Sequence, residues 1–492
     1  MLIIRPRAAG AYDARIDAAL DAQYYMLRSP FGEPRFYRRR YTSTLGLDVE
    51  NLAGPSSLRG PRLDFRSRVR LDTDFGRDAA ATDPQSNRYL PGLEQGPLDV
   101  MYAYLEGSGY WHGFLGFRVG RQYVMDALGY WGFDGGLLSL RLPGVQLSGY
   151  VGTEQRSGLP VLSTSRFGGS GVWRGDRTGL EDNQYPAFLS ESALAPAVGV
   201  AIETRDVGWL HARLGYRRVE NRSRVLVSPF LEPGRPLVFV DQARVSSERL
   251  GGSLTLDAGS SFTLSARGAY DLFQRTLADA SATLDATLGS NLNAGLEYSY
   301  YYPTFDADSI FNYFRRGASS TGLVRVDTRR GAWDLAVSSG ARWFMIPDGG
   351  AVFPFFEGSV SNAESGTAAR AASLFLADAG ARCAIPSGSI TMDASVELGA
   401  ESHRVGADVA TRRAFAGGRY DSLVILSVHD FRDALREERS ATSFSYVLGG
   451  GVRPGAMLIS RGRLGFEWEH SVNRLVGHRM RLLLTMDFTV LQ

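Results

Sequence analysis

The chain has 492 residues, of which 44% are hydrophobic and 22% charged, and its 54 basic and 52 acidic residues leave a net charge of +2. This balance excludes the strongly basic surface of a nucleic-acid-binding protein, and the single cysteine, Cys383, excludes a disulfide framework and a thiolate metal cluster. No apolar run approaches the roughly 20 residues that a membrane helix needs. A chain of this composition that spans a bilayer would therefore have to be a closed β-barrel.

The first three predicted strands place apolar and polar residues on opposite faces, with a period of two residues. In the segment Tyr12 to Tyr24, apolar residues alternate with Asp, Arg and Gln, and in Tyr41 to Glu50 they alternate with Thr, Asp and Glu. From Arg62 to Phe75 one face carries no charge, whereas the other carries only Arg and Asp. This alternation is typical of β-strands with one apolar and one wet face.

The stretch from Phe114 to Gly152 contains three successive strands. An aromatic, glycine-rich tip, Tyr123 to Phe133, joins the first two, and Pro143-Gly144 joins the second to the third. Two-faced strands with short turns at one end and longer connections at the other are the sequence pattern of a transmembrane β-barrel. We expect Tyr130 and Trp131 to lie at the outer rim of such a barrel.

The same alternation continues to the end of the chain. Its apolar faces fall within the segments Val198–Ile202, Leu210–Tyr216, Leu250–Leu256, Phe262–Tyr270, Leu284–Leu288, Leu292–Tyr300, Trp333–Trp343, Ile390–Leu398, Leu464–Trp468 and Met480–Val490. The strands run to about 10 to 14 residues, which fits the roughly 9 to 11 residues of a tilted membrane strand better than the 5 or 6 of an average strand in a soluble protein.

We therefore predict an all-β fold with one domain, residues 1–492. It is a single transmembrane antiparallel β-barrel of about 20 to 22 strands, within limits of 18 to 24, and an even number is expected for a bacterial barrel. The limits are wide because Ala371–Leu376 and His403–Arg413 are weakly patterned.

Short and long connections alternate along the chain. Tight turns, expected to face the periplasm, are predicted near Pro143, Asp206, Gly259, Gly289, Gly331, Pro386 and Pro454. The long connections, expected to be extracellular, are 76–97, 153–196, 219–236, 303–321 and 345–370. Aromatic clusters at strand ends, such as Tyr298–Tyr302 and Trp343–Phe344, predict an interfacial girdle.

The charged faces of the strands are predicted to line a lumen, and the apolar faces to contact outer-membrane lipid. The lining residues are Asp64, Arg66, Arg68, Arg70, Asp72, Arg118, Arg141, Arg213, Arg217, Arg267, Asp271, Glu297, Asp334, Arg342, Asp393 and Glu467. Because both signs occur, we do not expect strong ion selectivity. All basic residues are Arg; this fits a GC-rich genome, and it would also suit phosphates of lipopolysaccharide or anionic solutes.

The segment 153–196 is by far the longest predicted connection. Connections of this length are usually functional or disordered. We expect it to be an extracellular loop that folds inward as a constriction or plug through Phe167, Trp173, Arg174 and Arg177.

One hairpin carries a resemblance to a known group of proteins. Arg118-Val119-Gly120-Arg121-Gln122, followed by an aromatic loop and Phe133-Asp134-Gly135, resembles the G-R-Q to F-D-G hairpin of large Gram-negative outer-membrane porins, including the alginate-export-like group. The resemblance covers about 40 residues and implies a porin-like barrel. Such barrels usually finish on an aromatic residue, whereas this chain ends Phe488-Thr489-Val490-Leu491-Gln492.

Catalytic and metal-binding patterns are not found in the sequence. None of the six histidines has metal-ligand spacing, and Gly169-Ser170-Gly171 lacks the strand–turn–helix context of a nucleophile elbow. We expect no enzyme activity and no cofactor.

The sequence thus predicts an outer-membrane channel that passes small hydrophilic or charged solutes through a water-filled lumen. Two alternatives stay open: a barrel that exports a polysaccharide or another polymer, and a structural barrel around a periplasmic, lipoprotein or cytochrome partner. The expected contacts are outer-membrane lipid and lipopolysaccharide, with no nucleic acid. The start, MLIIRPRAAG, lacks the apolar core of a signal peptide, so we expect a mature form or a true start further upstream.

Overall fold

The structure is a computed structural model, and it describes residues 13–52, 60–74, 98–154, 195–221, 225–226, 239–240, 244–259, 261–304, 318–346, 370–399, 402–432, 440–453, 461–475 and 477–491. In these residues the chain is almost entirely β-structure, with one short 3-10 helix, Ala416–Gly418. No helix in this part of the chain is long and apolar enough to cross a bilayer.

The strands follow the period-two segments of the sequence. In chain order they are β1 Asp13–Arg28, β2 Pro34–Glu50, β3 Arg62–Asp74, β4 Leu98–Tyr110, β5 Leu115–Asp126, β6 Gly129–Leu142, β7 Val145–Glu154, β8 Pro196–Thr204, β9 Leu210–Asn221, β10 Val225–Leu226, β11 Phe239–Val240, β12 Arg244–Asp257, β13 Phe262–Asp271, β14 Thr276–Thr287, β15 Leu292–Tyr301, β16 Ser319–Arg330, β17 Trp333–Ile346, β18 Arg370–Ile385, β19 Gly388–Gly399, β20 His403–Phe415, β21 Tyr420–Arg432, β22 Ser440–Val452, β23 Arg461–Asn473 and β24 Gly477–Leu491.

Twenty-two of these strands form one closed antiparallel barrel. Each strand pairs with the next along the chain, except that β10 and β11 make a separate small hairpin and β9 pairs directly with β12. The first and last strands close the ring, with Asp17 opposite Thr489 and Arg28 opposite His478. The predicted fold class is therefore confirmed, at the upper end of the predicted 20 to 22 strands, and the weakly patterned segments belong to the regular strands β18 and β20.

The two ends of the barrel differ as the sequence predicted. Tight connections at Pro143, Asp206, Gly259, Gly289, Gly331 and Pro386 all lie at one end, which we call the turn rim, and β1 begins and β24 ends there. The long connections all join strands at the opposite end, the loop rim. Several loop-rim connections are also short, namely 29–33, 127–128, 272–275, 400–402 and 474–476; of these, only 127–128 lies within a connection that the sequence predicted, the tip Tyr123 to Phe133. The predicted turn at Pro454 lies outside the described residues.

Large apolar side chains are exposed on one face of the barrel wall. Leu138, Val151 and Leu214, for example, are each about half exposed or more, a degree of exposure that water would not favour for so many side chains. An apolar face of this extent around a closed barrel suits contact with lipid, in which only structures with every backbone group paired can lie.

Candidate functional site

The β5–β6 hairpin leaves the barrel wall before it ends. Pairing between β4 and β5 stops at Ala103 opposite Arg121, and pairing between β6 and β7 stops at Phe133 opposite Glu154. Beyond these positions residues 122–132, which we call the hairpin tip, pair only within the β5–β6 hairpin.

The hairpin tip folds into the interior of the barrel. The Arg213 guanidinium of β9 donates a hydrogen bond of 2.9 Å from Nη1 to the carbonyl oxygen of Met125. Leu128 lies against Gly251 of β12. Since neither β9 nor β12 is a neighbour of β5 or β6 in the sheet, the tip reaches them only across the lumen, and the face that carries Arg213 and Gly251 is the inner face.

Two glycines make room for the tip on the inner wall. Gly215 and Gly251 lie opposite each other on β9 and β12. A Cβ atom on Gly251 would lie 2.5 Å from Leu128 Cδ2 and 3.1 Å from the Ala127 carbonyl oxygen, and one on Gly215 would lie 3.9 Å from the Asp126 carboxylate. We call these residues the glycine pair; without side chains they let the tip lie close to the wall.

A small hydrophobic core forms between the tip and the inner wall. Its centre is Phe133, which is fully buried, and Trp131, whose ring centroid is 4.7 Å from that of Phe133. Tyr150 of β7 packs on both rings at 5.2 and 5.3 Å, and Ala195, Ala197 and Val219 complete the cluster. The Arg217 guanidinium lies 5.1 Å from the Trp131 ring centroid, a cation–π distance.

The prediction that Trp131 lies at the outer rim is therefore wrong. Aromatic residues near a strand end suggested an interfacial girdle, but Trp131 is only 6% exposed and has inner-wall partners. Its neighbour Tyr130 points to the other side of the tip and is 66% exposed.

The residues of the G-R-Q to F-D-G resemblance mark the place where the hairpin leaves the wall. Gly120 has φ of 129°, and a Cβ there would collide with the Ala103 carbonyl. Next to it, Arg121 and Asp134 lie opposite each other and form two hydrogen bonds of 2.7 Å, from Nε and Nη2 to the two carboxylate oxygens. Gln122 faces inward and donates to the Gly135 carbonyl at 2.9 Å. The motif thus combines a bend with bonds that hold both strands at that bend.

Residues 155–194, and with them Phe167, Trp173, Arg174 and Arg177, lie outside the described residues. The inward fold of 153–196 stays a prediction.

The predicted lining residues lie on barrel strands. Fifteen of the sixteen occupy positions in register with the inner face that carries the glycine pair; they are Asp64, Arg66, Arg68, Arg70, Arg118, Arg141, Arg213, Arg217, Arg267, Asp271, Glu297, Asp334, Arg342, Asp393 and Glu467. The remaining one, Asp72, lies on β3, where its side chain is not described.

Many charges on the inner face are paired with opposite charges. Arg118 Nε lies 3.0 Å from Glu106 Oε1, Arg213 Nη2 2.6 Å from Glu203 Oε2, and Arg325 Nη2 2.7 Å from Asp285 Oδ1. On β24, Arg481 pairs with both Glu467 and Glu469. Arg68, Arg141 and Arg267 differ, because none of them makes an ion pair in the described part of the chain, although Arg267 donates to the Ser281 hydroxyl. The inner surface therefore combines near-neutral pairs with single guanidinium groups.

Sequence reasoning missed the residues that seat the hairpin tip. The available signal was glycine at inward positions, where neighbouring strands carry charges: Gly199, Gly215 and Gly251 lie on the successive strands β8, β9 and β12. Tyr150 lies flat over Gly199, just as Leu128 lies over Gly251. Within the described ranges no group of three or more His, Cys, Asp or Glu side chains suits a metal ion.

Known proteins resemble this chain in fold only. No protein-family model and no curated protein sequence matches it. Among solved structures, the siderophore receptor PirA from Pseudomonas aeruginosa matches with a TM-score of 0.51 and 10% identity, over 96% of this chain and 80% of that one.

Two further structures complete the comparison. A mutant of the ferric enterobactin receptor PfeA from the same organism gives a TM-score of 0.51 and 9% identity over the same shares of both chains. OccAB4 from Acinetobacter baumannii covers 98% of both chains, with a TM-score of 0.43 and 8% identity. Over nearly its whole length, the chain has the fold of an outer-membrane β-barrel.

Proposed function

We propose that the protein is a channel in a bacterial outer membrane, through which small hydrophilic or charged solutes diffuse. The turn rim would face the periplasm and the loop rim the outside, as is usual for barrels with short turns at one end. The apolar outer face would contact lipid and lipopolysaccharide. Membership of the alginate-export-like group rests on the hairpin resemblance alone.

The polar inner face of the barrel is the observation that supports this proposal. A barrel of more than about 16 to 18 strands is wide enough for an aqueous channel unless something fills it. In the described residues the hairpin tip covers the inner wall from β7 to β12. The inner wall from β13 to β24 carries charged and hydroxyl side chains instead, such as Glu297, Arg325 and Ser338. Such a surface favours water and solute over protein packing.

Planar bilayers test the channel function. The purified protein should give stable single-channel currents, and because paired charges of both signs line the inner face, the cation-to-anion permeability ratio should be within a few-fold of unity. A protein that inserts but never conducts would contradict the proposal, and a strongly selective channel would contradict the role of the paired charges.

The hairpin tip should narrow the channel. Replacing residues 124–131 by a two-residue turn should raise single-channel conductance, because the tip would no longer occupy the lumen. Deleting residues 155–194 in a second variant tests the predicted constriction loop independently. If only the loop deletion raises conductance, the hairpin is not the constriction.

A disulfide can verify the position of the tip. In a Cys383→Ser background, the pair Leu128→Cys and Gly251→Cys should cross-link on oxidation, since these positions are in contact. Leu128→Cys combined with Gly380→Cys, an inward position on β18, is the matched control and should not cross-link.

Polymer export is the second candidate, favoured by an arginine column on one strand. Arg62, Arg66, Arg68 and Arg70 share the inner face of β3 and extend from the turn rim towards the loop rim. An anionic polymer could pass from one guanidinium to the next. Blockage of the single-channel current by a long polyanion, but not by its monomer, would favour export over free diffusion.

A further inference from the structure

The face of the hairpin tip opposite its buried core carries two tyrosines. Tyr123 is half-buried and Tyr130 is exposed; their ring centroids lie 5.5 Å apart with planes inclined by 29°, and Met125 beside them is 71% exposed. The buried face of the same tip holds Trp131, which packs on Phe133 at the base of the tip. The hydrophobic core therefore accounts for one side of the hairpin and leaves the tyrosines unexplained.

The tyrosines continue from the tip onto the barrel wall. Tyr123 contacts Tyr102 of β4 at 5.7 Å in an edge-to-face arrangement, and Tyr102 lies 5.9 Å from Tyr104. The four rings form a row that we call the tyrosine strip: Tyr104, Tyr102, Tyr123 and Tyr130. Its exposure increases from 6% at Tyr104 to 66% at Tyr130, so the strip leads from the wall into the open lumen.

Guanidinium groups lie alongside the wall end of the strip. Arg68 is directly opposite Tyr102 on β3, and Arg66 is directly opposite Tyr104. Arg118 lies over the Tyr104 ring at 5.6 Å. Arg66 and Arg118 both pair with Glu106, whereas Arg68 makes no ion pair in the described part of the chain. Arg68 thus places a guanidinium group without a carboxylate partner opposite Tyr102 on the neighbouring strand.

We propose that the tyrosine strip is a binding site for sugars, in which the faces of pyranose rings lie on Tyr102, Tyr123 and Tyr130 and the Arg68 guanidinium donates to their hydroxyl groups. This inference rests on the proposed channel function, since it names a solute class for the same lumen. The ring centroids of neighbouring tyrosines lie 5.5 to 5.9 Å apart, with planes inclined by 29° to 62°, so a sugar that leaves one aromatic ring finds the next beside it. A short apolar ring face on each side chain gives weak, repeated binding, which allows a solute to leave as well as enter.

Charge and shape favour a sugar over other solutes of similar size. Aromatic rings offer an apolar face with a polar edge, and the tyrosine hydroxyls can bond hydroxyl groups at that edge. An open-chain polyol has the same hydroxyl groups but no rigid ring to stack. Binding should therefore discriminate between glucose and sorbitol, and it should not require a charge on the solute.

Titration calorimetry on the detergent-solubilised protein tests the site without any need for conduction. Cellobiose and glucose should bind, and sorbitol should bind at least roughly tenfold more weakly, a difference of about 1.4 kcal/mol. Tyr123→Leu and Tyr130→Leu should each weaken cellobiose binding by a similar factor. Tyr130→Phe should retain it, because the ring stays.

A matched control removes a tyrosine that faces lipid. Tyr298 is 46% exposed on the outer face, so Tyr298→Leu should bind cellobiose as the native protein does. Equal affinity of native protein, Tyr123→Leu and Tyr130→Leu would overturn the proposal. So would binding of benzoate in place of both sugars, because the strip would then select aromatic anions. Sugar binding without single-channel currents would leave the site standing and contradict the channel function alone.

Discussion

The inner wall of the barrel has two regions that differ in the size and charge of their inward side chains, although the same alternation of inward and outward residues produces both. From β7 to β12, inward positions include Gly199, Gly215, Gly251 and Tyr150, which the hairpin tip covers, beside the ion pair Arg213–Glu203. From β13 to β24, inward positions of the described strands hold pairs such as Arg325–Asp285 and Arg463–Asp421. The difference shows that alternation fixes which residues face the lumen, whereas their size and charge depend on whether protein or water lies opposite.

Removing the ring of Phe133, at the centre of the covered region, should cause the largest loss of stability. Phe133→Ala deletes a fully buried side chain and should reduce the free energy of unfolding of the hairpin by about 3 to 5 kcal/mol. Phe375→Ala, on the outer face where the ring is 48% exposed, is the control and should cost clearly less. Urea titration in detergent micelles measures both, followed by fluorescence of Trp131 in a background where the other six tryptophans are replaced by Phe; equal losses would mean that the inner core does not stabilise the tip.

Filling the space that the glycine pair leaves for the hairpin tip should cause an intermediate loss of stability. Gly251→Val places side-chain atoms where Leu128 lies and should cost about 1 to 3 kcal/mol, as overpacking usually does. Gly380→Val provides the comparison on the uncovered wall, because a Cβ there meets only the movable Asp393 carboxylate at 3.0 Å. Protease cleavage within the tip should rise in the first variant and not in the second. More cleavage in Gly380→Val than in Gly251→Val would show that the hairpin tip does not pack on the glycine pair.

The ion pairs should show the smallest difference between the regions. Arg121 is 9% exposed and has two bonds to Asp134, so a double-mutant cycle should give a coupling energy of about 2 kcal/mol. Arg325 and Asp285 are both more than 40% exposed, and their coupling should stay below about 1 kcal/mol. Equal coupling would mean that burial at the bend adds nothing to the Arg121–Asp134 pair.

The sequence predicts the wall well because strand alternation is a local property. Arg66 and Phe65, for instance, must point to opposite faces wherever the strand lies. The number of strands and the two rims follow from the same pattern and from the turn residues. The fold of the tip is different, since nothing within Tyr123–Phe133 states that its partners are Gly251 and Arg213, more than 80 residues later in the chain. Aromatic residues at a strand end suit an interface with lipid and an inner core equally well.

Because the hairpin tip folds into the lumen, strand β4 in the barrel wall loses part of its pairing with β5. Closed barrels have no free sheet edges, and exposed edges are sites where other strands can add. Between Ala103 and the loop rim, β4 has no partner on its β5 side. This closed barrel therefore contains a short unpaired strand edge in its described residues. Arg121 Nη1 donates to the Val100 carbonyl oxygen on that edge at 3.1 Å, a side-chain donor in the place of a backbone one. Arg121, which holds the two strands together at the bend, thus also occupies the β4 edge that the bend exposes. A foreign strand cannot then pair with that edge.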